Sequence, residues 1–476
     1  MTPTLARIND GIKRYLSGDA FMLTVAAVVL IFWATQQLIA GLIVLVLLAS
    51  LAFLYSNTAA IIPLILFGPC VVSIGELPSN VGYLFLMLIP LVAAILFHII
   101  KYKGKGIKKV FNIKGNVLPL ILFAFAIIVS GAFSPARQNK VTGLILTAYL
   151  GILPLIIYLI VRAGYDMRLG DIRRYTAKAM MVWGLLITLE ATILYLTDVA
   201  AGVNIISNDY VPRLGWGVSN LYCTAILTCI PFNFYFLNKH YRWALPMIAL
   251  TVAECAVVAL SHSRGALIFT GLTVMLSLIA SLFRYRRNKI IWLCFSLCAL
   301  AVIFAISRYG DAIKHLLAQT FEDKLGASSR DFLYLEALDR FRENPLFGAG
   351  AGYIGYRGTN SIVYLFHSTL FQTVGMMGVV GIVAMVYLYV MRYYTVLRKK
   401  DSFNLFLCMG LIGFEGYSMI DTGTFNAIPF LVMLAVLMAA TELSNEQLDN
   451  RLLIEKQNYN DRLSQVVAGA DNEEEK

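Results

Sequence analysis

Residues 308–367 read RYGDAIKHLLAQTFEDKLGASSRDFLYLEALDRFRENPLFGAGAGYIGYRGTNSIVYLFH. No other stretch between the hydrophobic runs of this chain is as long and as polar. In its middle, Ser328 is placed as an N-cap, Asp331 falls in a first turn and Pro345 is a stop, which predicts a helix. Phe332, Leu335, Leu338 and Phe341 recur at near-helical spacing, with Leu333 beside them, and predict an apolar face. Asp331, Glu336, Asp339, Arg340 and Glu343 fall elsewhere on the helix. Such a helix should lie on a membrane plane or cover a bundle of spans. The glycines at 348, 350, 352 and 355 predict a tight path on which backbone can approach a ligand. The Gly-Lys-Ser/Thr of a Walker loop is absent from it.

The surrounding chain decides what this segment is inserted into. Of 476 residues, 59% are hydrophobic and 14% charged, and the mean hydropathy is +0.73. A soluble domain cannot hide that much apolar surface. Fourteen apolar runs are legible, at 20–35, 38–55, 59–75, 80–100, 117–133, 142–162, 178–198, 218–237, 243–261, 265–283, 289–307, 366–391, 403–420 and 424–441. Crossing a bilayer core of about 30 Å takes ~20 apolar residues, so the expected fold is all-α, a polytopic transmembrane helical bundle. The first two runs are separated only by Thr35-Gln36-Gln37, as a tight hairpin or as one irregular element, which gives 12–14 spans. An outer-membrane barrel would alternate polar and apolar residues in shorter segments and is excluded. Residues 1–18 are polar and basic, and no cleavable signal is evident. Cys70, Cys223, Cys229, Cys255, Cys294, Cys298 and Cys408 all fall inside apolar runs and lack metal-ligand spacing on a polar loop. They read as small apolar residues, with neither a disulfide framework nor a zinc site.

Basic residues set the expected orientation. With the N-terminus cytoplasmic, the short segments 1–19, 101–116, 162–178, 238–242, 284–289 and 392–402 together carry 24 Lys or Arg. The short loops of the other face carry four, Arg137, Lys140, Arg213 and Arg264. The net charge of +11 is therefore read as topology, with no nucleic-acid partner. Arg137, Arg213, Arg264 and Arg330 then all fall on the extracytoplasmic side, where topology gives no reason for them.

Three clusters stand out there. In Tyr210–Asn220, Arg213 stands about two helical turns before Asn220, which lies just inside a span. A guanidinium suits phosphate oxygens through paired donors; the plainer alternative is interfacial anchoring of Arg213 and Trp216. In the turn Ser261-His262-Ser263-Arg264, a serine can cap the following span, and Arg264 is expected buried and paired with Glu254, Glu190, Glu415 or Asp421. In the long loop, Arg330 sits in the first turn of the expected helix, where the dipole favours anions. There it would combine with free N–H groups to hold a phosphate. His367 closes the loop at the mouth of the next span. A neutral imidazole can take a proton from a sugar hydroxyl, although a lone His at an interface is often only a polar cap.

Four of these stretches resemble one family. SHSRGAL (261–267), RDFLYLEALDRFRENPLFGAGAGYIGY (330–356), HSTLFQTVGMMGVVG (367–381) and RLGWGVSN (213–220) look like the core of the O-antigen ligase and O-antigen polymerase superfamily. The similarity spans roughly residues 205–385. The resemblance implies a glycosyltransferase C-type fold. It also implies transfer of a glycan from undecaprenyl diphosphate to an acceptor hydroxyl of a lipid A core sugar, a growing polysaccharide or a protein. By position, Arg213 and Arg330 match the arginines held to bind the lipid diphosphate, and Arg264 matches a serine-arginine element. His367 matches the histidine proposed to activate the acceptor. Ser368 stands where Asn often follows that histidine.

The implied organisation has five parts. Residues 1–19 are a cytoplasmic N-terminus and 20–200 an N-terminal transmembrane region. Residues 201–441 are the ligase- or polymerase-like core, with extracytoplasmic loop 308–366. Residues 442–476 are a charged cytoplasmic tail, helical at most in part. His367 and Arg330 are the expected catalytic residues, and Arg213, Arg330, Arg264 and Asn220 the expected diphosphate ligands. Neither metal nor cofactor is expected, because arginines at helix mouths can neutralise a leaving diphosphate in a low-dielectric site. The expected place is a bacterial inner membrane, with the chain multi-pass and the site extracytoplasmic. The competing reading is a transporter or flippase for polyprenyl-linked glycans, which would show internal repeats and binding near mid-membrane.

Overall fold

The computed structural model describes residues 3–55, 60–73, 82–101, 115–133, 147–164, 171–207, 210–238, 241–285, 329–351, 353–357, 360–363, 366–421 and 428–474, with short pieces of 289–307. Its architecture is an all-α polytopic bundle. A chain this apolar must satisfy its backbone hydrogen bonds within each segment, and helices do so. The helices in order are α1 (Pro3–Ser17), α2 (Asp19–Ala34), α3 (Leu38–Leu54), α4 (Ile61–Phe67), α5 (Gly82–Lys101), α6 (Val117–Phe133), α7 (Leu153–Gly164) and α8 (Ile172–Ala200). There follow α9 (Ser219–Leu237), α10 (Ala244–Leu260), α11 (Arg264–Arg284) and α12 (Ser329–Glu343), then a small antiparallel hairpin of β1 (Ile354–Arg357) and β2 (Asn360–Val363). The chain ends in α13 (Thr369–Leu397), α14 (Ser402–Ser418) and α15 (Ile428–Glu474).

Among the described residues, α8, α9, α11, α13 and Pro429–Ile454 of α15 are long and apolar enough to cross a membrane. Counting the α1–α2 pair, bent by 65°, as one span makes six. Several of the remaining apolar runs form shorter helices: α3, α6 and α10 have 17 residues each, which at about 1.5 Å per residue reach only ~25 Å. Gln36, at φ 57°, turns the chain tightly between α2 and α3, so the first two runs form a hairpin of separate helices. Most of run 289–307 lies outside the described residues.

Helix α9 and the membrane-length part of α15 are the central pillars, 89% and 94% buried over their apolar windows. Small residues set the spacing around them. A Cβ on Gly410 of α14 would sit 2.9 Å from the Thr228 carbonyl oxygen of α9, so only glycine permits that approach. Helix α15 differs from the expected tail. It continues unbroken past Thr441, because Glu442, Ser444, Asn445 and Gln447 are buried against the bundle.

Polar contacts sort the helix ends into two groups. At one end, Arg173 meets Asp171 and Asp401, Tyr285 meets Ser402, Lys399 meets Asp449, and Arg162 meets Glu442 and Glu446. Arg162, Arg173, Tyr285 and Lys399, from three basic segments, thus lie at one end. At the other end lie the starts of α9, α11 and α13 and the close of α14.

Helix α12 lies against the first turns of α13, but not on the face its sequence suggests. Phe332 and Leu335 are 57% and 59% exposed, whereas Ala337 is fully buried with Phe366, Leu333, Tyr353 and Phe371 around it. The cause is a small-residue contact, since a Cβ on Gly375 would lie 2.9 Å from the Ala337 Cα. Close backbone approach chooses the seam and leaves Phe332 and Leu335 outward. Tyr334 stacks on Phe371 with centroids 4.3 Å apart, and Glu336 accepts from the Tyr353 hydroxyl at 2.8 Å.

Helix α13 is broken at Gly378, which takes φ 60° and ψ −152°. The loop after α12 fills the break. Ala349 and Gly350 N–H donate to the Gly375 and Met376 carbonyls, both at 2.8 Å. Val379 and Val380 N–H donate to the Pro345 and Leu346 carbonyls, at 2.8 and 3.2 Å.

Candidate functional site

A polar chain joins four helices at the end away from the basic loops. It starts on α9, where Asn220 falls in the first turn. The Asn220 Nδ2 donates to Asp421 Oδ2 at 3.0 Å. Asn220 Oδ1 accepts from the Ser263 hydroxyl at 2.6 Å, and Ser263 Oγ lies 3.2 Å from the Tyr417 hydroxyl. Ser263 stands at the N-cap position of α11 but makes no side-chain cap. Its hydroxyl goes instead into this chain and not into the capping role open to a serine of this turn. Gly265 makes the junction possible, since a Cβ there would sit 2.8 Å from the Tyr417 ring.

His367 reaches the same carboxylate from α13. Its backbone is left-handed, at φ 49°, a conformation in which His, Asn and Asp are over-represented. Ser368 then caps α13, accepting from the Phe371 N–H at 3.4 Å, and the buried hydroxyls of Thr369 and Ser418 bond to each other. These contacts fix the start of α13 against the close of α14 and bring His367 Nδ1 to 3.6 Å from Asp421 Oδ1. Asp421 is 5% exposed, while the His367 side chain is 41% exposed. The carboxylate therefore stands behind the imidazole. An N–H on Nδ1 facing Asp421 leaves Nε2 as the proton acceptor. The separation is slightly beyond a hydrogen bond, and such contacts tighten when a substrate binds.

The arginines are arranged differently from the sequence expectation. Arg264 is exposed at the first residue of α11, not buried and paired. The four acids expected as its partners are engaged elsewhere. Glu254 accepts from Asn233 at 2.6 Å, Glu190 from the Trp216 indole at 2.9 Å, Glu415 from Arg392 and Tyr393, and Asp421 from Asn220. Arg213 is also exposed. It is not two helical turns before Asn220, because Arg213 and Val218 form a β-bridge across a tight turn, with Leu214 N–H on the Gly217 carbonyl at 2.9 Å. Gly215, at φ 85°, closes that turn against Val72 and Ser73, and Trp33 donates to the Leu214 carbonyl at 2.9 Å. Arg330 falls in the first turn of α12. Its side chain lies outside the described residues, as do Ser328, Arg137 and Lys140.

The glycine-rich loop is likewise not a ligand cradle at 348–350. The N–H groups of Ala349 and Gly350 are spent on α13. A Cβ on Gly348 would meet the Gly375 carbonyl oxygen at 2.6 Å, so this glycine serves helix-to-loop packing.

Residues 247–386 match the family model described as O-antigen ligase. The match covers 140 of the 476 residues, and over that segment the chain is similar to the O-antigen ligase family. The matched segment takes in Ser263, Arg264, Arg330 and His367, while Arg213, Asn220 and Asp421 come from outside it. The carboxylate behind His367 thus comes from the close of α14 and the amide that holds it from α9, both outside the matched segment. No curated protein matches the chain. Tyr417 was not legible as a site residue in the sequence, and Asp421 was put forward there as a partner for Arg264, not for His367. The available signal was a lone Asp at a span end, where a charge is costly without a partner or a function.

Proposed function

We propose that the chain is a membrane glycosyltransferase that moves a glycan from undecaprenyl diphosphate to an acceptor hydroxyl at the extracytoplasmic face of a bacterial inner membrane. The observation that carries this reading is the half-exposed His367 backed by buried Asp421, inside and beside the matched segment. His367 Nε2 takes the proton of the acceptor hydroxyl as its oxygen attacks the anomeric carbon. The bond from that carbon to the diphosphate oxygen breaks, and the diphosphate leaves with the electron pair. In-line attack inverts the anomeric centre. Arg213, Arg264 and Arg330 take up the charge that develops on the leaving group. Asn220, expected among the diphosphate ligands, is reassigned to holding Asp421. Lipid A core sugar, growing polysaccharide and protein remain equivalent acceptors for this chemistry.

The test is reconstitution of the purified chain with a polyprenyl-diphosphate oligosaccharide and candidate acceptors. Transfer or lengthening of the glycan is expected, unchanged by EDTA. Arg213→Ala, Arg330→Ala and His367→Ala should each lower it by at least about tenfold in folded protein. Near-normal transfer in all three would remove the site assignment. Movement of the lipid between leaflets without transfer would establish a flippase instead.

A further inference from the structure

The bonds that close the break in α13 have a regular pattern. In an unbroken helix, Val379 and Val380 would donate to the carbonyls of Gly375 and Met376, four residues back. Those two donors and two acceptors are the same groups that the loop 345–350 engages. The loop therefore substitutes, bond for bond, for one missing turn. The Met377 carbonyl is held separately, by the Ser130 hydroxyl of α6 at 3.3 Å. Gly378 is required on two counts. Its φ and ψ are open to glycine alone, and a Cβ would sit 2.5 Å from the Pro345 carbonyl oxygen.

We propose that residues 345–350 are a splint that positions His367, with Gly348 and Gly378 as its positioning residues. The proposal rests on the reading of His367 as the group that activates the acceptor. The upper part of α13, Thr369–Met377, starts two residues after His367. It is tied to α12 by the Ala337–Gly375 approach and the Tyr334–Phe371 stack, and to the segment before it by Gln372, whose Oε1 accepts from the Phe366 N–H at 2.7 Å. The lower part is anchored to α14 by the buried Arg392–Glu415 pair. The break lets the two parts run in different directions, and the splint fixes the angle between them. That angle places His367 over Asp421. It also fixes α12, whose first turn holds Arg330, relative to His367.

Loss of the splint leaves α13 folded. Its four stranded groups close on one another as ordinary helix bonds, and the loop groups turn to water. The helix straightens and carries His367 away from Asp421.

The experiment compares amide hydrogen exchange and transfer kinetics of the full-length protein, wild type against Gly378→Ala and Gly348→Ala. The second variant leaves the sequence of α13 intact and keeps the test available if the first does not fold. In both, the amides of Ala349 and Gly350 should lose protection, while those of Val379 and Val380 stay protected because the helix has closed. The kcat should fall at least about tenfold, since small misplacements of a reacting group cost up to ~100-fold, with donor KM within about twofold. Joint loss of protection in both segments overturns the proposal, as does retained loop protection, or wild-type kcat with the loop released. If the wild type itself transfers no glycan, the glycosyltransferase reading fails, and the exchange pattern alone decides the splint.

Discussion

At the end of the bundle that gathers the basic loops, Arg162 closes on Glu442 and Glu446 and Arg173 on Asp171 and Asp401, and deeper in the bundle Arg392 closes on Glu415 and stacks over Tyr389. At the opposite end, Arg213 and Arg264 are exposed, and Asp421 is held by an amide and faces a histidine. Both ends carry charge in or near a membrane, where an unmatched ion is costly. In the first, each arginine is matched by a carboxylate of the same chain, and the geometry is complete as it stands. In the second, cations and a proton acceptor are left facing outward, a combination suited to an anionic substrate. Matched burial marks a structural ion pair, and incomplete matching marks a candidate site.

The comparison breaks most directly at His367. His367→Asn, which tolerates the left-handed backbone, should lower kcat by about 10²–10⁴-fold, the usual contribution of a general base. Its thermal unfolding should stay near wild type, and an equal loss of both would mean that His367 is structural. The reverse pattern is expected for Glu415→Gln. It leaves Arg392, 3% exposed, without its counter-charge and should cost about 3–5 kcal/mol of stability. Replacing both partners with apolar residues should recover most of that, as read by unfolding in detergent. Recovery of nothing would show that the pair does more than balance charge.

Asp421→Asn should lower kcat by up to ~100-fold through misorientation of the imidazole, with a smaller change in KM. A wild-type pH–rate profile and kcat would dismiss Asp421 as the positioning group. The smallest effect is expected at Asp171, the N-cap of α8. Burial works against its charge, but the guanidinium and N–H of Arg173 outweigh this and hold its carboxyl below the usual range. Stability from such a depressed carboxyl is present above its unfolded pKa and is lost as pH falls through the lower native value. Asp171→Asn should therefore cost under about 1 kcal/mol at neutral pH. The gap to wild type should close on acidification, and a gap that widens would contradict the pairing.

The sequence was most informative where composition alone decides. Long apolar runs fix an all-helical membrane bundle, because no other backbone arrangement with open ends satisfies itself in lipid. The basic segments predicted which helix ends lie together, and the contacts among 162–178, 284–289 and 392–402 agree. The motifs around Ser263, Arg330 and His367 were legible because they lie within the segment shared with the ligase family. Partners were not legible. Arg264 was expected to take one of four acids, yet each acid is met by a residue from another element, at separations of 21 to 201 positions in the chain.

By itself, then, the sequence determined the helical membrane architecture and put forward His367 and the arginines as candidates. These follow from local composition, from basic-residue bias and from short motifs. Only the tertiary structure decided that Asp421 stands behind His367, that Ser263 serves Asn220 and not a helix cap, and that glycines 348 and 378 join a loop to a broken helix. Each depends on a backbone approach or an angle between helices set by small residues such as Gly265 and Gly375, whose partners lie far away in the chain.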